Sequence, residues 1–74
     1  MNYCKHYELL VNRAKTRILE GYSERHHIIP KCVGGTDDPS NLVSLTAEEH
    51  FLAHQLLVKL YPNNAKLALA FSML

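Results

Sequence analysis

The stretch "ERHHIIPKCVGG", residues 24–35, sets two adjacent histidines ahead of two isoleucines, a proline and a pair of glycines. "RHHII" reads as a short strand closed by Pro30. "GGTDDPSN", residues 34–41, is dense in turn formers and reads as a loop. "LVSL", residues 42–45, alternates apolar and small side chains, as a return strand does. Thr46 then opens a capping box, T-x-x-E, with Glu49 at the third helical position. The helix it starts runs to about Leu60, with Phe51, Leu52, Leu56, Leu57 and Leu60 apolar. Residues 24–60 therefore predict a hairpin followed at once by a helix.

Outward from this unit, Tyr3, Tyr7, Leu10, Ala14 and Ile18 recur every three or four residues with charges between them. That period predicts an amphipathic helix over about 3–19, stopped by "EGYS" with Gly21 near its end. On the other side "YPNN" breaks the chain, and Asn64 caps a last helix over about 64–74. That helix is still apolar at Leu74, so it is expected to continue into a longer chain or to dock its end. The whole reads as one α+β domain over residues 1–74, without repeats or low-complexity segments.

Chains of 74 residues bury a modest core and often need a metal, a disulfide or a partner. A 47% hydrophobic and 20% charged composition argues against disorder. No apolar run approaches the ~20 residues that span a bilayer, and the amino terminus has no signal-peptide pattern. No membrane partner and an intracellular setting are the expectations. Cys4 and Cys32 are then expected to be free, buried thiols. Residues 1–31 carry six basic groups against three acids, whereas 32–56 carry four acids and no Lys or Arg. A basic amino-terminal half suits a polyanion, although a net charge of +1 is modest for one. Arg13, Arg17, Arg25 and Lys31 are the candidate phosphate contacts.

Four of the five histidines lie in two places, His26-His27 on the predicted strand and His50 with His54 on the predicted helix. Four residues apart, His50 and His54 project from one helix face about a turn apart, which suits two ligands of one ion. Alone the pair is a weak signal. A hairpin overlaid by that helix brings a strand histidine to it. Other metal and hydrolase patterns fail on residue type. Phe51 follows His50 where a zincin has Glu, the two cysteines are not paired, and no P-C-x-x-C, G-x-S-x-G or phosphate loop occurs.

With these residues in place, "ERHHIIPKCVGGTDDPSNLVSLTAEEHFLAH" resembles the HNH endonucleases, particularly the small homing-type enzymes carried by bacteriophages. The likeness spans residues 22–61. It implies a ββα-metal fold, here flanked by an amino-terminal and a carboxy-terminal helix, holding one divalent cation. By that resemblance His27 is the general base, and His26, His50 and His54 are the metal ligands. Asn41 is the asparagine of the motif, ordering the loop and hairpin behind the base, and Glu24 is an acid near the catalytic group. Strand alternation points His26 and His27 to opposite faces, so it does not assign their roles. Twist at the hairpin end must bring both rings to one site.

The residue types suit phosphodiester hydrolysis, which needs a deprotonated water and a stabilised leaving oxygen. An imidazole near pKa 6.5 accepts a proton at neutral pH, provided an acceptor holds its other nitrogen. Three imidazole ligands favour Zn²⁺ or Ni²⁺ over Mg²⁺, but the family's members differ, and Mn²⁺ or Mg²⁺ remains open. The expected function is a metal-dependent DNA endonuclease, in the cytoplasm of a bacterial host if phage-encoded. The modest charge leaves room for a homodimer or a further DNA-binding segment beyond Leu74. Two other readings stand beside it: a non-catalytic nucleic-acid-binding module with structural zinc, and a metal-free interaction domain.

Overall fold

A computed structural model describes residues 2–74. Helix α1 spans Tyr3–Lys15, strand β1 Glu24–His27, strand β2 Leu42–Leu45, helix α2 Ala47–Leu60 and helix α3 Ala65–Ser72. Two single 3₁₀ turns, Lys31–Val33 and Pro39–Asn41, punctuate the loop between the strands. The class is α+β, and the described residues form a two-stranded antiparallel sheet with three helices, in the order the sequence predicts.

β1 and β2 pair with Glu24 opposite Leu45 and His26 opposite Val43. Alternation then sends Val43, Leu45 and His26 inward and leaves Arg25 and Ser44 outside. The strand expected over residues 25–29 ends at His27, and the reason is Asn41. Its backbone oxygen accepts from Ile28 N at 2.8 Å, and its side-chain Oδ1 accepts from Ile29 N at 2.8 Å. A side-chain amide thus replaces the next rung of the ladder, and the chain turns away. Gly35 completes that turn, because a Cβ there would lie 1.7 Å from the Ile29 carbonyl oxygen.

α1 is also shorter than the periodicity predicts. Asn2 caps its start by accepting from Lys5 N at 3.0 Å. At the other end Thr16 donates its hydroxyl to the Arg13 carbonyl at 3.1 Å, satisfying an orphan acceptor locally. Ile18, expected on the apolar face, is 94% exposed, so no packing extends the helix to it. Tyr7, Leu10, Val11 and Ala14 do face the core. The capping box of α2 forms, with Thr46 Oγ1 accepting from Glu49 N and Glu49 returning to Thr46 N at 2.9 Å. Ala53, Leu56 and Leu57 of α2 meet Leu45 and α1, with Leu67 of α3 closing the cluster. Leu57 is 2% exposed, so its truncation to Ala costs about 2–5 kcal/mol. Cys4 and Cys32 are free, as expected, but exposed rather than buried. Neither lies on a face the core covers. Among the described residues no helix is long and apolar enough to cross a membrane.

Candidate metal centre and catalytic cleft

The inward position on β1 belongs to His26, which is buried beneath α2. α2 crosses the hairpin there, and the i, i+4 spacing aims His50 and His54 at it. Ring centroids lie 5.2 Å apart for His26–His50, 5.3 Å for His26–His54 and 4.8 Å for His50–His54. One nitrogen from each ring lies within 4.8 Å of the other two. The hairpin and helix thus bring together the three residues the sequence nominated as ligands.

The surroundings prepare these rings for a cation. Glu24 Oε1 sits 2.8 Å from His50 Nδ1, leaving His50 Nε2 free. His54 Nδ1 is buried and has no hydrogen-bond partner among the described residues. Burial, and then the neighbouring rings of His54, His50 and His27, push the His26 pKa down to about 3. Burial, with His50 second, lowers His54 as well. At neutral pH both rings are therefore neutral and offer lone pairs, the form that ligates a metal. Three convergent imidazole rings, one of them with a buried nitrogen that has no partner among the described residues, fit a single divalent cation.

His27 points the other way off the strand, yet it lines the same cleft. The cleft has a volume of about 270 Å³ and is bounded by the three clustered histidines, His27, Arg25 and Lys66. The fourth ring therefore shares the cleft with the three clustered ones. His27 Nε2 lies 2.7 Å from Asp37 Oδ1, and Asp37 Oδ2 lies 2.9 Å from Lys31 Nζ. Lys31, then His27, hold the Asp37 carboxyl below its ordinary range, so it stays an ionised acceptor. About a third of the His27 side chain is open to solvent, which admits a water molecule.

The family profile described as "HNH endonuclease" matches residues 12–50, more than half of the chain. The chain belongs to the HNH endonuclease family. Among curated relatives it is 53% identical over 74 residues to "Probable mobile endonuclease E" of Enterobacteria phage T4, covering 99% of this chain and 52% of that protein. It is 53% identical over 79 residues to "Probable mobile endonuclease B" of the same phage, covering all of this chain and 30% of that protein. "Probable mobile endonuclease D", also from that phage, is 50% identical over 96% of this chain and 29% of its own length. The chain thus spans about half of one relative and under a third of the other two. No solved structure matches.

Within the HNH span lie His26, His27, Asn41 and His50, while His54 falls beyond its end. Asn41 is buried, and every polar atom of its amide is used. Nδ2 donates to the Ile29 and Thr36 carbonyls at 3.0 and 2.8 Å, and Oδ1 accepts from Ile29 N. It ties the start of the loop to its end directly behind His27. Glu24, nominated as an acid near the catalytic group, has both oxygens engaged, one by His50 and the other by the Tyr22 hydroxyl. Those bonds, Tyr22 first, hold its pKa low, so it is an ionised partner of a histidine.

The nominated cations separate into two groups. Arg17 makes a paired contact with both oxygens of Glu49, Arg13 lies 3.7 Å from the same carboxylate, and Lys31 is on Asp37. Arg25 lines the cleft and, among the described residues, has no carboxylate partner within ion-pair distance. Sequence reasoning missed Asp37, Lys66 and Tyr7. Asp37 lies in the turn-rich loop and Lys66 in the last helix, where no motif or spacing marks either. Tyr7 looked like core, and its hydroxyl reaches His26. The one signal available for Asp37 was chemical, since a histidine base requires an acceptor on its second nitrogen.

Proposed function

We propose that this HNH chain is the nuclease part of a metal-dependent DNA endonuclease, hydrolysing phosphodiester bonds with one divalent cation and His27 as general base. What carries the reading is the convergence of a three-histidine cluster and an acceptor-held fourth histidine on one cleft. The relatives' printed name, mobile endonuclease, agrees with it. DNA is the substrate this reading requires, and a homodimer or a segment outside this chain supplies further DNA contact.

An ionised Asp37 only accepts, so His27 Nε2 carries the proton of their bond. Nδ1 of His27 is then the nitrogen left to take a proton from water, and Asp37 stabilises the imidazolium that forms. His26, His50 and His54 would hold the cation, Glu24 orients His50, and Asn41 fixes the loop that carries Asp37. When bound, the ion supplies a Lewis acid at the phosphate and the departing 3′ oxygen. Arg25 and Lys66 face the phosphate from the cleft walls. The products are a 5′ phosphate and a 3′ hydroxyl.

A structural-zinc module that binds nucleic acid without cutting it is the second reading. It leaves the His27–Asp37 pair without a task. Plasmid nicking across Mg²⁺, Mn²⁺, Zn²⁺ and Ni²⁺, with metal content measured alongside, separates the two. His27→Ala should keep fold and metal yet lose on the order of 10²–10⁴ in rate. His50→Ala and His54→Ala should lose metal affinity and thermal stability, and added metal should partly rescue them alone. Near-parent cleavage by His27→Ala would overturn the enzymatic reading and leave the zinc module.

A further inference from the structure

The hydroxyl of Tyr7 stands between two partners, 2.7 Å from His26 Nε2 and 2.7 Å from the Ile28 carbonyl oxygen. A hydroxyl has one proton, and a carbonyl oxygen has none. The contact with Ile28 is therefore a hydrogen bond only if Tyr7 donates to it. The proton between Tyr7 and His26 must then come from His26, so Nε2 carries hydrogen. A neutral imidazole bears one N–H, which leaves the lone pair on Nδ1. Tyr7 and His26 are 8% and 2% exposed, so bulk water does not compete for either group.

The three partners come from different parts of the chain. Tyr7 is on α1, His26 on β1, and Ile28 at the first position beyond the strand, where the Asn41 backbone takes over its N–H. One hydroxyl thus senses the ring and the bend in the strand that aims it. Tyr7 also lies before residue 12, where the family match begins.

We propose that Tyr7 is a positioning residue for the metal site, holding His26 in its Nε2–H tautomer with Nδ1 turned to the cation. The proposal rests on the metal-centre reading above. Without the hydroxyl the ring is free to exchange tautomers and to tilt, and a fraction of the chains presents an N–H where a lone pair is needed. Partners of this kind are worth about 10–100-fold in metal affinity elsewhere.

Tyr7→Phe tests it, because the ring stays and only the oxygen goes. The first readout is the ¹⁵N imidazole spectrum of the metal-free full chain. The parent should show His26 protonated at Nε2 alone, and Tyr7→Phe a mixture of tautomers. The second readout is Zn²⁺ affinity by chelator competition, expected to fall about 10–100-fold in Tyr7→Phe. An unchanged tautomer and affinity in Tyr7→Phe would overturn the proposal. So would a parent spectrum with the proton on Nδ1, a measurement that needs no variant to fold. A parent with the expected tautomer that takes up no zinc overturns the metal reading and this proposal together, and its spectrum tells that failure apart.

Discussion

Asp37 Oδ1 lies 2.7 Å from His27 Nε2, and the same carboxylate holds Lys31 Nζ at 2.9 Å. The loop acid therefore leaves Nδ1 of His27 free and, in the proposed mechanism, balances the charge the ring would acquire. Asp37 is exposed, so water can replace part of what it does. Asp37→Ala should keep metal content and melting temperature near the parent and slow nicking on the order of tenfold, less than His27→Ala. Single-turnover rates at saturating metal check this. An additive further loss in the double variant would show that Asp37 does not act through His27.

Arg17 and Glu49 are 32 positions apart in sequence, and their pairing joins the segment after α1 to the first turn of α2. The Arg17 guanidinium, ahead of the bonds from Thr46, lowers the Glu49 pKa from 4.5 to about 2. Below about pH 4.5 the unfolded chain takes up a proton at Glu49 that the folded chain refuses until about pH 2. The stabilisation is therefore fully present above 4.5 and shrinks as pH falls towards 2. Glu49→Gln should melt several degrees lower than the parent at pH 7, and the gap should narrow from pH 4.5 downward. A gap that does not change with pH would mean the charge contributes nothing.

The hairpin, the α2 boundaries and the pairing of His50 with His54 were legible because each rests on local chemistry, whereas His26 was nominated by the family resemblance alone. Turn formers closed the strands, Thr46 and Glu49 form a box within four residues, and His50 and His54 share a helix face by spacing alone. What was not legible depends on a distant partner. β1 stops at His27 because the Asn41 amide occupies the next rung, and α1 stops at Lys15 because nothing packs on Ile18. Arg17 reads as a phosphate contact from the basic count of the amino-terminal half, but its partner Glu49 lies 32 positions away. Glu24 and Tyr7 each reach their histidine across an element boundary that no periodicity encodes.

The thiols give a separate check on the ligand set. Cys32 lines the cleft but is not part of the cluster of convergent donors, and Cys4 is exposed on α1. Changing both cysteines to Ser should leave metal stoichiometry, nicking rate and melting temperature unaltered, the last within about 0.5 kcal/mol of stability. Loss of metal with the fold intact would place a sulfur in the site.

DNA affinity should follow the cations of the cleft and not the basic count of the amino-terminal half. Arg17 is spent on Glu49, and Arg13 stands close to the same carboxylate, so neither offers a full charge to a phosphate. Arg25 on β1 and Lys66 on α3 both line the cleft and lack carboxylate partners among the described residues. A phosphate contact releases counterions, so each one lost lowers the slope of log affinity against log salt by about one. Arg25→Ala and Lys66→Ala should each weaken binding at low salt and reduce that slope. Arg17→Ala should lower the melting temperature and leave the slope nearly unchanged. Affinity titrations from 50 to about 200 mM salt on the three variants decide between them. A slope that falls for Arg17→Ala and holds for the other two would move the DNA to the α1 face, away from the histidines.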